Sequence, residues 1–159
     1  MPIVSRFSTY LSVFLRLGAF LLLFTTAVFP QAKVPEPKDV IGFTPGDDRK
    51  LASWNQVVDY FKKLDAASDR VKFEEIGKTT MNAPFVYATI TAPENFKQLE
   101  KYKQINAELA DPRRIKSNEA AARQHINEGK TIVLITCGVH STEVGSYLSS
   151  MLIAHRLAS

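Results

Sequence analysis

The 159-residue chain carries 20 Lys+Arg against 16 Asp+Glu, a formal net charge of +4, with 45% hydrophobic and 23% charged residues, 7 glycines and 8 prolines. That is the composition of a globular protein and excludes a disordered, collagenous or low-complexity chain. A single cysteine excludes a disulfide framework and a cysteine-clustered zinc module. Arg6 and Arg16 supply half of the positive excess, so the rest lacks the dense basic stripe of a nucleic-acid-binding domain.

Residues 1–32 read as a secretory signal peptide. Arg6 and Arg16 are their only charges, and Leu17 to Phe29 is an uncharged, mostly apolar run. That run is shorter than the roughly 20 residues a spanning helix needs, and it matches the apolar region of an export signal. Ala32 and Ala27 are the competing last residues before cleavage. With no cysteine in this stretch, a lipoprotein anchor is excluded. The expected location is secreted or periplasmic, the alternative being a membrane anchored by an uncleaved leader. Residues 33–48 follow as an extended linker, because Pro35 and Pro37 push their predecessors out of the helical region.

From residue 49 a folded domain is expected to run to Ser159. Ser53-Trp54-Asn55-Gln56 is a capping box. Behind it Trp54, Val57, Val58, Phe61 and Leu64 recur at helical spacing, as in an amphipathic helix with one face on a core. Val71 to Ile76 and Phe85 to Thr91 predict a β-hairpin whose long loop, Gly77 to Pro84, uses Asn82 in a left-handed conformation. Phe96, Leu99, Tyr102, Ile105 and Leu109 predict a helix stopping near Asp111-Pro112. A second, solvated helix is expected from about Ser117 to Glu128, with Gly129 ending it in the left-handed region. Thr131 to Thr136 is a continuous apolar run that predicts a strand buried on both faces. A last helix carries Tyr147, Leu148, Met151 and Leu152 on one side. Its pattern is still running at Ser159, so the chain is expected to be cut on its C-terminal side.

The chemistry is expected where that apolar strand ends. His140 and Glu143 form a His-x-x-Glu pair just after Gly138, and in open α/β sheets the ligand crevice lies outside the carboxyl ends of the strands. A spacing of three places both side chains on one side of a turn, and an imidazole with a carboxylate suits Zn2+. Spacing alone is weak evidence, because His125-Ile126-Asn127-Glu128 fits it too. That second pair falls within the solvated helix, where a structural role is expected. His155 lies about 18 Å along a helix from Glu143 and His125 about 20 Å back along a strand, so neither is expected to share the ion. Cys137 reads as a small core residue.

Ile132-Val133-Leu134-Ile135-Thr136-Cys137-Gly138-Val139-His140-Ser141-Thr142-Glu143-Val144-Gly145 resembles the first zinc-binding segment of the carboxypeptidase A-like zinc metallocarboxypeptidases. Glu75-Ile76-Gly77-Lys78-Thr79 with Pro84-Phe85 resembles that family's first hairpin, although Met81-Asn82-Ala83 departs from the Glu-Gly-Arg common there. The resemblance covers residues from about 50 to 159. It implies an α/β fold: the start of a mixed central sheet flanked by helices, truncated after the first metal-binding segment. It also implies that His140 and Glu143 are zinc ligands, with a second histidine ligand, a carboxylate-gripping arginine and a general-base glutamate lying downstream. No catalytic residue is therefore expected within this chain. The implied function is zinc-dependent hydrolysis of peptides at their C-termini, acting on a peptide or protein substrate, with the 159 residues alone inactive. Two alternatives stand beside it. One is an N-acyl amino acid deacylase of the succinylglutamate desuccinylase/aspartoacylase type; the other is a non-catalytic secreted binding module on the same scaffold.

Overall fold

The computed structural model describes residues 33–159. The expected signal peptide, residues 1–32, lies outside the described residues. In chain order the elements are α1 (Pro37–Ile41), α2 (Trp54–Ala67), β1 (Val71–Lys78), β2 (Pro84–Ile90), α3 (Pro93–Phe96), α4 (Leu99–Ala110), a 3-10 turn (Pro112–Ile115), α5 (Glu119–Glu128) and α6 (Val144–Ala158). This is an α/β arrangement in which β1 and β2 pair antiparallel, Val71 facing Ile90 and Lys78 facing Pro84.

The capping box at Ser53 starts α2 as expected. Its hydroxyl accepts from the Gln56 N–H, and the Gln56 side chain accepts from the Ser53 N–H at 2.9 Å. Behind that cap, Val57, Tyr60 and Leu64 enter the core with Ile41, Val71, Leu148, Met151 and Ala154. Tyr60, Leu64 and Met151 are fully enclosed, and each apolar side chain of this size removed from water contributes about 1.5–3 kcal/mol. Burial also pushes the Tyr60 hydroxyl far above the ordinary tyrosine range, while the group still donates to Pro35 O at 3.3 Å. The C-terminal turn of α6 is tied to the α2–β1 connection. Ser68 Oγ donates to Ala158 O at 3.1 Å and Arg70 Nε to Leu157 O at 3.3 Å, so two otherwise orphaned helix-end carbonyls are satisfied.

The hairpin loop is closed by Asn82 N–H to Thr79 O at 2.9 Å, with Asn82 at φ 58° as its side chain allows. The helix expected to stop near Asp111-Pro112 does so, and Asn118 caps α5 through Oδ1 to the Ala121 N–H.

Four expectations are corrected. Residues 33–48 are not all extended linker: Pro37 sits in the first turn of α1, where its fixed φ is pre-organised for a helix. Gly42 at φ 82° closes that helix, and Ile41 anchors it in the core. Gly129 is extended (φ −72°, ψ 177°) rather than left-handed. Its reason is space, since a Cβ there would stand 2.8 Å from His125 O and 2.9 Å from Ile105 Cγ2. Leu152 faces solvent while Leu148 and Met151 are buried.

The fourth correction is the largest. Thr131–Thr136 is not a buried strand. Ile132, Val133, Leu134 and Ile135 are all more than half exposed, and among the described residues no backbone hydrogen bond reaches residues 131–137. β1 and β2 pair only with each other, and neither pairs with this segment. Cys137, expected in the core, is exposed with it.

Candidate metal centre

The loop between the apolar segment and α6 is shaped by three hydrogen bonds. Gly138, at φ 73°, donates its N–H to Ser146 Oγ at 2.9 Å; that hydroxyl in turn donates to Glu143 O at 3.0 Å. The Glu143 N–H donates to His140 O at 3.0 Å, closing a turn over His140–Glu143. The glycine is required by conformation here, not by space, because a Cβ on Gly138 would meet Tyr147 Cβ at an ordinary 3.7 Å. Ser146 thus holds both ends of the loop. Sequence reading passed over it; the readable signal was a hydroxyl in the first turn of a helix entered without a Ser, Thr, Asp or Asn cap.

This turn puts the two candidate ligands side by side. His140 Nδ1 stands 2.9 Å from Glu143 Oε1, and the side chains are 70% and 60% exposed. Glu143 occupies the N-cap position of α6 but makes no capping bond through its side chain, so its carboxylate faces the imidazole instead of the helix end. Two donors of a tetrahedral zinc stand about 3.4 Å apart, and the observed pair needs to open by about half an ångström to match that spacing. The donor chemistry fits a borderline-soft divalent ion.

The other histidines are elsewhere. His125 Nε2 lies 2.7 Å from Glu108 Oε2, both side chains about four-fifths buried, and this contact clasps α5 to α4. Glu128, the partner of His125 in the second His-x-x-Glu, pairs with Lys101 at 3.0 Å and takes a hydrogen bond from Gln124. Those bonds, the Gln124 amide first, hold its carboxyl below the usual range. That His-x-x-Glu is a helix–helix clasp, as its position on a helix implied. His155 lies in the last turn of α6. Among the described residues, no three of His, Cys, Asp and Glu gather where they could hold a metal ion.

The sequence model of the zinc carboxypeptidase family matches residues 57–159, a span that includes the hairpin, the apolar segment and the whole His140–Glu143 loop. The chain belongs to the zinc carboxypeptidase family. Among curated proteins and among solved structures nothing matches it. Family membership establishes a carboxypeptidase-type metallohydrolase in outline, with zinc as the metal the family uses.

Proposed function

We propose that His140 and Glu143 are two of the protein ligands of a zinc ion in a metallocarboxypeptidase that removes residues from the C-termini of peptides or proteins. The observation that supports this reading is the 2.9 Å approach of an exposed imidazole and an exposed carboxylate inside the span matched by the family. When bound, zinc supplies Lewis acidity toward the scissile carbonyl and toward water. The chain's own part is to fix the two donors. The His140–Glu143 turn sets their common side, Ser146 pins the loop at both ends, and the absence of a side-chain cap bond leaves the carboxylate free to ligate.

Two donors fall short of the three that catalytic zinc sites take from protein. The 159 residues by themselves are therefore expected to bind zinc weakly and not to hydrolyse peptides, since the reaction also calls for a second histidine ligand, an arginine for the substrate carboxylate and a general-base glutamate. The leader directs the protein to a secreted or periplasmic location, where peptide substrates are met, and contacts a membrane only if it stays uncleaved.

Calorimetric zinc titration of the full chain tests the site. Weak binding is expected, lost in His140→Ala and in Glu143→Ala and retained in His125→Ala. Tight one-to-one zinc that survives His140→Ala would overturn the assignment, as would release of C-terminal residues from a peptide by the 159-residue chain. Reading the coding sequence past Ser159 tests the wider claim: a histidine, an arginine and a glutamate in suitable spacing support the peptidase, and their absence supports a binding module.

A further inference from the structure

The connection between α4 and α5 takes no part in the proposed chemistry, and it gathers positive charge. Pro112-Arg113-Arg114-Ile115-Lys116 carries three cations, and of these five residues only Ile115 is half-buried while the others are exposed. Solvent is where such a composition belongs, since arginine and lysine are seldom enclosed without partners. Arg113 is already engaged, its guanidinium donating to Asp111 at 2.7 and 2.9 Å. Arg114 makes no ion pair and no side-chain hydrogen bond among the described residues. The backbone here is held only locally. Its hydrogen bonds run from Arg114 to Asp111, Lys116 to Arg113, Ser117 to Pro112 and Asn118 to Ile115, and none reaches beyond the adjoining ends of α4 and α5. Lys116 and Ser117 both stand at φ 53°, a left-handed conformation that side chains of their kind disfavour. A strained turn tied only to itself opens ahead of the elements around it, and exposed connections of this kind are where endopeptidases nick a folded chain.

We propose that the Arg114–Ile115 bond is a processing site for an arginine-directed serine endopeptidase, and that the cut chain stays together as one two-chain protein. Such endopeptidases hold the side chain before the cut bond on a carboxylate, a contact that the Arg114 guanidinium can make without giving up a partner. Hydrolysis adds water across the amide: its oxygen joins the Arg114 carbonyl carbon and a proton goes to the Ile115 nitrogen, so the new ends are a carboxylate and an ammonium group. Contacts that span the cut hold the pieces together. Glu108 and Lys101 on α4 pair with His125 and Glu128 on α5 at 2.7 and 3.0 Å. Met151 of α6 stays in the core with Tyr60 and Leu64 of α2, and Ser68 and Arg70 stay bonded to Ala158 and Leu157. His140 and Glu143 fall on the same piece, so the candidate metal pair survives the cut. The rival basic pair, Arg49-Lys50, is less suited. Asp47 and Asp48 precede it, with Asp48 facing Arg49 at 3.6 Å, so an acidic pocket approaching there meets acids of its own sign.

Limited digestion of the full chain with trypsin under native conditions, read by intact mass, tests this. Among cuts between residues 33 and 159, the first products are expected to end at Arg114 and begin at Ile115. The two pieces are expected to elute together on size exclusion in buffer and to part in urea. Arg114→Gln is expected to slow cutting between residues 111 and 118 by at least about tenfold, because the charge-assisted contact to the pocket carboxylate is lost. Lys50→Gln is expected to leave that rate unchanged. A first cut at Arg49, Lys50 or within a helix or strand would overturn the proposal. So would an Arg114→Gln chain cut in this connection as fast as wild type, the outcome if Arg113 or Lys116 were the target. Pieces that separate without denaturant would overturn the two-chain product.

Discussion

Substituting Gly129 with alanine isolates how α5 is seated against α4. The backbone there, φ −72° and ψ 177°, suits any residue, so no conformational cost attaches to a side chain. The cost is steric. The new methyl would sit 2.8 Å from His125 O and 2.9 Å from Ile105 Cγ2. The first neighbour is backbone, and it already accepts the Gly129 N–H at 2.8 Å. Relief therefore means displacing either the end of α5 or the buried Ile105. Overpacking of this kind costs about 1–3 kcal/mol, offset by about 0.4–1 kcal/mol from the smaller unfolded-state entropy of alanine, leaving a net loss of about 1–2 kcal/mol. Gly138→Ala is expected to lose a similar amount, about 1–2 kcal/mol, for the opposite reason: its space is open and its φ of 73° is not. Asparagine separates the two. It tolerates the left-handed region, so Gly138→Asn recovers much of the loss, whereas Gly129→Asn recovers none. Urea denaturation of the four variants measures this. A neutral or stabilising Gly129→Ala, or a Gly129→Asn better than Gly129→Ala, would refute the steric account.

Other outcomes follow from the same structure. Met151→Ala is expected to cost about 2–5 kcal/mol by leaving a cavity among Tyr60, Leu64 and Leu148, while Leu152→Ala, on the exposed side of α6, costs less than about 1 kcal/mol; parallel melts decide it. The Tyr87 hydroxyl, donating to Glu74 Oε2 at 2.7 Å, and then Lys72 hold the Glu74 carboxyl below the usual range. A carboxyl lowered in the folded state contributes stability above its unfolded pKa and loses it as pH falls through the folded one. Tyr87→Phe should therefore raise the Glu74 pKa toward normal, as read by carboxyl NMR, and flatten the acid limb of the stability profile. A Glu74 titration unchanged by Tyr87→Phe would contradict this.

The parts of the fold legible in the sequence are those decided by neighbouring residues. The Ser53 capping box, the helical spacing of Val57, Val58 and Leu64, and the turn at Asn82 each rest on local geometry that a short stretch specifies by itself, whereas Trp54, expected on the same face, is exposed and the enclosed Tyr60 takes its place in the core. Pro37 and Gly42 are equally local signals for α1, but Pro37 with Pro35 reads as a stiff tether, because extended backbone ahead of a proline and a proline at the first helical turn begin alike. The placement of Thr131–Thr136 was not legible. Its composition records a preference for burial between strands, and the preference carries no information about whether strands stand on either side. Gly129 differs from expectation for a related reason: beside His125 O, one of its two obstacles is Ile105, on another helix, and no reading of residues 125–130 contains that one. At the candidate site, the spacing of His140 and Glu143 foretold their approach because a three-residue interval closes a turn, while Ser146 reaches across eight residues to Gly138 and left only a faint trace.

The claim that His140 and Glu143 act together on a metal ion is tested most directly by following the imidazole nitrogens of all three histidines by 15N NMR while zinc is added to the full chain. The account predicts that a ring nitrogen of His140 shifts first, that His125, clasped to Glu108, and His155 do not move with it, and that Glu143→Gln raises the zinc needed by at least about tenfold. A first response at His125 or His155, or a His140 signal indifferent to Glu143→Gln, would contradict it.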